Sequence, residues 1–263
     1  MLIARSLLKL ARLDSSLLVA LAVFIPLFSR TKDLGLSLSK ATPLLFIGMC
    51  TFIANDLDDI EKDQINHPER PLPSGTINPA FAAMLYFCCL AAALFTAKFY
   101  VQPEIAFLYY LLLMISISYR YIVDWFPGFK SPYVAGATSI PVLIVAASYP
   151  EEARLYLVAV SVFFFVLGRE LCMDLVDRKG DGASFMHRIE AKHIEIAAIV
   201  AQLIGLLLLA IQVDKLLDVV DVLLIATLLV LSGRYWFKLA SYKTAITLMK
   251  LQLFAGLYFL SNQ

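Results

Sequence analysis

Two stretches of this chain place carboxylates at spacings that suit metal and phosphate chemistry. The first, "NDLDDIEKDQINHPERPLPSG" at residues 55–75, holds Asp56, Asp58, Asp59, Glu61 and Asp63, offset locally by Lys62. The second, "RELCMDLVDRKGD" at residues 169–181, holds Glu170, Asp174, Asp177 and Asp181. At about 100° per helical residue, Glu170, Asp174, Asp177 and Asp181 share an arc of about 60°. Asn55, Asp59 and Asp63 share about 80° if their segment continues the preceding helix. Like charges so aligned repel, the more so when partly desolvated. Hard divalent cations offset such repulsion, and Mg²⁺ characteristically bridges one or two carboxylates to substrate phosphates. A charge run standing alone is ordinarily a solvated face; two spaced runs, brought together, suit a metal-bound diphosphate.

The elements that must position them are membrane helices. The 263 residues are 60% hydrophobic and 16% charged, with mean hydropathy +0.79, which excludes an ordinary soluble domain. Repeated apolar stretches predict an all-α polytopic bundle, because lipid offers backbone groups no partner outside the helix. Nine transmembrane helices are expected, over about 13–29, 36–54, 79–98, 103–123, 132–149, 153–172, 192–212, 217–233 and 244–260. No small-x-small cleavage site follows "VFIPLFSR", so the first span is expected to remain as a membrane helix. Pro43 and Pro141 lie inside spans, where they can bend a helix and widen a cavity.

With the N-terminus taken as cytoplasmic, fourteen Lys and Arg fall in the loops of that side and six on the other. The odd span count, the cytoplasmic N-terminus and both acidic clusters on the cytoplasmic face follow together. The sequence shows no P-loop and no basic patch that would suggest nucleic acid, and the formal charge of +1 is silent about partners. Cys50, Cys88, Cys89 and Cys172 lack CxxC spacing and are expected as buried small hydrophobes. His67, His187 and His193 show no zinc spacing, although His67 lies in the first acidic loop.

The first stretch resembles the NDxxDxxxD signature of the UbiA superfamily of intramembrane prenyltransferases, through Asn55, Asp56, Asp59 and Asp63, followed by an RPxxxG segment at Arg70, Pro71 and Gly75. The second resembles that superfamily's DxxDxxxD motif at Asp174, Asp177 and Asp181, preceded by Arg169 and Glu170. The resemblance covers nearly the whole chain as a single domain, 1–263, with a central cavity. It implies that Mg²⁺, held by Asp56, Asp59, Asp63, Asp174, Asp177 and Asp181 with Asn55 assisting, binds an isoprenyl diphosphate. Asp59, Asp63, Asp177 and Asp181 then serve catalysis by stabilising charge on the leaving diphosphate. A dry cavity protects the allylic cation from water, and aromatic faces can stabilise it. Asp58 and Glu61 lie off the pattern and are expected in solvent.

Diphosphate also calls for cations, and Arg70 belongs to the motif. The family usually shows a Tyr and a Lys-Arg pair before a PGxKN-like segment; "SYRYIVDWFPGFKSP" keeps Pro127, Gly128 and Lys130 but has Val123, Asp124 and Trp125 where the pair is expected. Arg120 and Lys130 are the substitutes, and Arg178 and Lys179 are candidates for phosphate oxygens or for orientation charges. After Asp181 the chain reads "GASFMHRIEAKH" in place of a "GxxTLP"-like segment, and span two carries no arginine after Lys40. Both departures weigh against a 4-hydroxybenzoate-type acceptor. The expected partners are therefore an isoprenyl diphosphate, an aromatic or lipophilic acceptor and membrane lipid. Two alternatives remain at this level: a terpene cyclase that needs no acceptor, and a divalent-cation carrier.

Overall fold

The computed structural model describes residues 2–177 and 189–213, with residues 222, 224–228, 244, 247–249 and 251. The regular elements among the described residues are all helices, without strands. In chain order the helices are α1 (Leu2–Leu10), α2 (Leu13–Thr31), α3 (Leu34–Asp58), α4 (Ile60–Asn66), α5 (Pro79–Tyr100), α6 (Pro103–Trp125), α7 (Lys130–Ser148), α8 (Ala153–Asp177) and α9 (Ala191–Ala210), with one 3-10 turn at Pro127–Phe129. Seven of them, α2, α3 and α5 to α9, are long and apolar enough to cross a membrane. They coincide with the first seven expected spans. The expected spans at 217–233 and 244–260 lie mostly outside the described residues.

Helix limits follow local chemistry. The Asp33 side chain accepts from the Leu36 N–H at 3.0 Å and starts α3. Asn78 accepts from the Ala80 N–H at 2.8 Å, and Pro79 fills the first turn of α5, where a missing N–H costs nothing. Packing pairs α2 with α3, α3 with α5, α7 with α8, and α8 with α9, while α6 touches α3 and α7. The apolar core formed by these helices includes Leu27, Leu44, Ile53, Tyr109, Ile144 and Leu155, all essentially inaccessible. The outer face carries Phe87, Phe95, Phe99, Phe107 and Met114, more than half exposed, as a lipid-facing surface requires. Cys50, Cys89 and Cys172 are buried as expected, but Cys88 faces outward, because successive helical positions point in different directions.

α8 and α9 approach through small residues, the usual means of close helix contact in lipid. A Cβ at Gly168 would sit 2.8 Å from the Ala198 carbonyl oxygen and 2.8 Å from the Gln202 side chain. Gly168→Ala is therefore expected to force the two helices apart and to destabilise the protein by about 1–3 kcal/mol, read as a lower melting temperature in detergent.

Candidate active site

The first acidic cluster does not continue the helix of α3. That helix stops at Asp58, Asp59 sits at φ −100° and ψ 16°, and α4 restarts at Ile60. Crowding Asp56, Asp58 and Asp59 into a last turn without a basic residue works against the helix dipole, which disfavours negative charge there. The break supersedes the expectation of one continuous acidic stripe. Asp63 N–H still bonds the Asp59 carbonyl at 2.8 Å, so α4 stays tethered to the end of α3.

Two arginines close over this end. Arg12 stands in left-handed backbone, φ 39°, at the joint between α1 and α2, and its guanidinium reaches Asp56 Oδ1 at 2.5 Å. It also lies 5.3 Å from the Phe52 ring centroid. Arg70 returns from a turn in which the Ser74 N–H bonds the Arg70 carbonyl and Gly75 adopts φ +69°, a conformation glycine takes without strain. Its Nη1 lies 2.6 Å from Asp63 Oδ2 and 3.6 Å from Asp56 Oδ1, so one cation bridges both buried acids. Asp56 is 2% exposed and Asp63 4%. Burial pushes the Asp63 carboxyl above its ordinary range, and the Arg70 hydrogen bond and charge pull it back only in part. Asp59 is more open and pairs with Lys62 at 3.4 Å.

The second cluster is held from α7. Asp174, 4% exposed, receives Lys130 Nζ at 2.8 Å on one oxygen and the Ser131 hydroxyl at 2.5 Å on the other. The 3-10 turn at Pro127–Phe129 delivers both donors at the start of α7. Three residues on, Asp177 closes α8. Its side chain, with Arg178, Lys179 and Asp181, lies outside the described residues.

Tyr119 of α6 feels charges from both clusters. This half-buried side chain lies within electrostatic reach of Asp59 from the first cluster and of Lys130, Glu170 and Asp174 from the second. Its ring packs 5.9 Å from that of Tyr133 on α7. A further tie, Arg120 Nη1 to Asp58 Oδ1 at 3.0 Å, fastens α6 to the end of α3. The ends of α3, α6 and α8 and the starts of α2 and α7 thus gather at one end of the bundle.

Most of the residues expected from sequence assemble there: Asn55, Asp56, Asp59, Asp63, Arg70, Lys130 and Asp174. Arg120 is placed otherwise, half-exposed on Asp58 and, at 3.7 Å, on Asp124. Asp58 is accordingly ion-paired at the surface instead of simply solvated. His67 lies 3.9 Å from Glu69. Sequence reasoning missed Arg12, which it counted only as an orientation charge, as well as Ser131 and Tyr119. Only the adjacency of Ser131 to Lys130 and the family's usual Tyr in that loop pointed toward the last two.

Among the described residues no three His, Cys, Asp or Glu side chains converge on one point. The donor set nonetheless suits Mg²⁺: hard carboxylate oxygens, buried at helix ends, each matched to a cation that also suits phosphate. Arg12→Ala strips Asp56 of its nearest partner and is expected to destabilise the protein by about 1–3 kcal/mol, measured by thermal unfolding in detergent.

The UbiA prenyltransferase family profile matches residues 15–261. The digeranylgeranylglyceryl phosphate synthase of Metallosphaera sedula is 27% identical over 139 residues, covering 51% of this chain and 48% of the relative. That of Thermococcus kodakarensis is 31% identical over 133 residues, covering 49% and 46%. The chain spans about half the length of the curated relatives it matches. Among solved structures, one described as giving insight into digeranylgeranylglyceryl phosphate synthase in membranes superposes with TM-score 0.71 at 18% identity, over 100% of both chains. A UbiA homologue from Archaeoglobus fulgidus bound to GPP and Mg²⁺ gives 0.69 at 17%, over 97% of this chain and 99% of that one. With the profile match running through nearly all of the sequence, this chain belongs to the UbiA prenyltransferase family.

Proposed function

We propose that this protein is an Mg²⁺-dependent intramembrane prenyltransferase that moves an isoprenyl group from its diphosphate to a hydroxyl of a lipophilic glyceryl phosphate. The observation that carries this reading is the gathering at one end of the bundle of buried, cation-matched carboxylates from two distant stretches, Asp56 and Asp63 from one and Asp174 from the other. Asp56, Asp59, Asp63 and Asp174, with Asn55 assisting and the motif residues Asp177 and Asp181, would hold the metal. When bound, Mg²⁺ supplies the positive charge that stabilises a leaving diphosphate.

The chain's own residues do the rest. Arg70, Arg12 and Lys130 offer N–H donors to diphosphate oxygens at the same end, Arg70 in the forked geometry that suits phosphate. The packed rings of Tyr119 and Tyr133 would offer aromatic faces to an allylic cation formed beside them, and ring faces favour positive charge. The apolar helices around them exclude water, which would otherwise capture the cation. The relatives' names support the acceptor class: digeranylgeranylglyceryl phosphate is a glyceryl phosphate bearing two geranylgeranyl groups, so a prenyltransferase forming it joins an allylic carbon to a glyceryl oxygen. A cyclase gains no support from these relatives, and a cation carrier would need its acids at mid-membrane instead of at helix ends. The excess of Lys and Arg on the motif side supports a cytoplasmic position for that side.

The test is product analysis. Purified protein is incubated with C10 to C20 isoprenyl diphosphates, with and without a prenylglyceryl phosphate, in Mg²⁺ or in EDTA. A new ether-linked lipid that needs both substrates and Mg²⁺ is expected. Cyclic products formed without an acceptor, or metal flux in proteoliposomes without diphosphate turnover, would overturn the proposal.

A further inference from the structure

Arg169 and Glu170 are ionisable residues within the span of α8 that neither the diphosphate site nor the packing uses. Charged side chains in a membrane span are costly and mark functional sites by default. The Arg169 Nη2 donates to Glu170 Oε1, yet the two are chain neighbours on one helix, so their pair joins no two elements and contributes nothing to assembly. Their side chains are only 21% and 12% exposed. Arg169 Nε is buried and has no hydrogen-bond partner among the described residues. An orphaned N–H of this kind costs about 1–3 kcal/mol unless a ligand oxygen meets it.

Position says which ligand. Glu170 precedes Asp174 by four residues, one helical turn deeper in the bundle and on the same face. Tyr119, across on α6, feels Glu170 together with Asp174 and Lys130. Glu170 therefore lies on the Asp174 face of α8, about 6 Å further from the end where the acidic clusters gather, with Arg169 paired to it.

We propose that Glu170 takes the hydroxyl proton of the acceptor, with Arg169 Nε–H free to orient an acceptor oxygen; this rests on the hydroxyl acceptor proposed above. In the step, the acceptor oxygen forms a bond to C1 of the prenyl group. The C1–O bond to diphosphate breaks, and its electron pair leaves on the diphosphate. The hydroxyl proton passes to the Glu170 carboxylate and from there to water. A carboxylate paired with arginine is a weak base, but it suffices here, because an alcohol oxygen becomes strongly acidic as it is alkylated. Aspartate at 170 keeps the carboxylate one methylene short, whereas glutamine keeps the shape and loses the base.

The experiment compares Glu170→Gln, Glu170→Asp and Arg169→Lys with the wild-type enzyme in detergent. Two quantities are read: kcat and acceptor KM for transfer, and Mg²⁺-dependent binding of a non-ionisable isoprenyl diphosphate analogue. Glu170→Gln is expected to lower kcat about 10²-fold or more, within the range for a lost general base, without weakening analogue binding. Glu170→Asp is expected to recover at least a tenth of wild-type kcat. Arg169→Lys, which lacks an Nε–H donor, is expected to raise acceptor KM about tenfold, equivalent to one hydrogen bond. Wild-type transfer by Glu170→Gln would overturn the assignment. Loss of analogue binding in step with transfer would also overturn it, by moving Glu170 into the diphosphate site. If Glu170→Gln does not fold, the Asp and Lys variants decide: equal falls in kcat and melting temperature, with acceptor KM unmoved, mean a structural pair. A wild-type protein that ionises isoprenyl diphosphate but alkylates no hydroxyl acceptor overturns the acceptor reading itself, a result distinct from a silent Glu170 substitution.

Discussion

Asp174→Asn is expected to lower prenyl transfer by about 10³-fold while leaving the protein folded. Asparagine keeps the volume and can still accept from the Ser131 hydroxyl, so the α7 to α8 junction holds. What disappears is a buried negative charge and one of two carboxylate oxygens, the features a hard cation requires. Lys130, a quarter exposed, loses this carboxylate but retains access to water, which limits the cost to stability. Turnover in Mg²⁺, measured beside a melting curve, separates the two effects. A variant that turns over at the wild-type rate would remove Asp174 from the site, and one that fails to fold would make it a packing residue.

Arg70→Ala is expected to lower transfer about 10²-fold at neutral pH and to shift the acidic limb of the pH–rate profile upward. Among the described residues Arg70 alone is ion-paired with both Asp56 and Asp63, and it supplies the hydrogen bond and charge that oppose burial at Asp63. Without it, burial and the like charges of Asp56 and Asp59 all favour the protonated Asp63 carboxyl. The carboxylate that metal binding needs then forms only at higher pH. Raising the pH should recover part of the lost rate, and that recovery distinguishes an electrostatic role from a fold defect. Lysine at this position restores charge but not the fork that spans two acids, so Arg70→Lys should recover less than half of the effect.

Much of this arrangement was legible in the sequence, for identifiable reasons. Lipid forces long apolar helices, so α2, α3 and α5 to α9 start and stop within a few residues of the hydrophobic runs that announce them. Motif spacing marked Asp56, Asp63, Asp174 and Arg70, which the fold does bring to one end. The break at Asp59 was not legible, because it depends on how three acids share one helix terminus. Nor was Arg12: it meets Asp56 across 44 residues of chain, and nothing local to "RSLLKLARLD" distinguishes it from an orientation charge. The short helix α1 in front of it, Leu2–Leu10, likewise fell outside the expected spans. Arg120 shows the reverse failure, since a plausible phosphate ligand by position is held on Asp58 by proximity in space.

The central claim is that two distant acidic stretches serve one diphosphate. It is tested most directly by determining the structure with a non-ionisable isoprenyl diphosphate and Mn²⁺ in place of Mg²⁺, using anomalous scattering to locate the metal. The account predicts metal density flanked by Asp59 or Asp63 on one side and Asp174 or Asp177 on the other, with the diphosphate between them and within reach of Arg70 and Lys130. Metal bound at one stretch alone, with the other too distant to touch the same diphosphate, would contradict it.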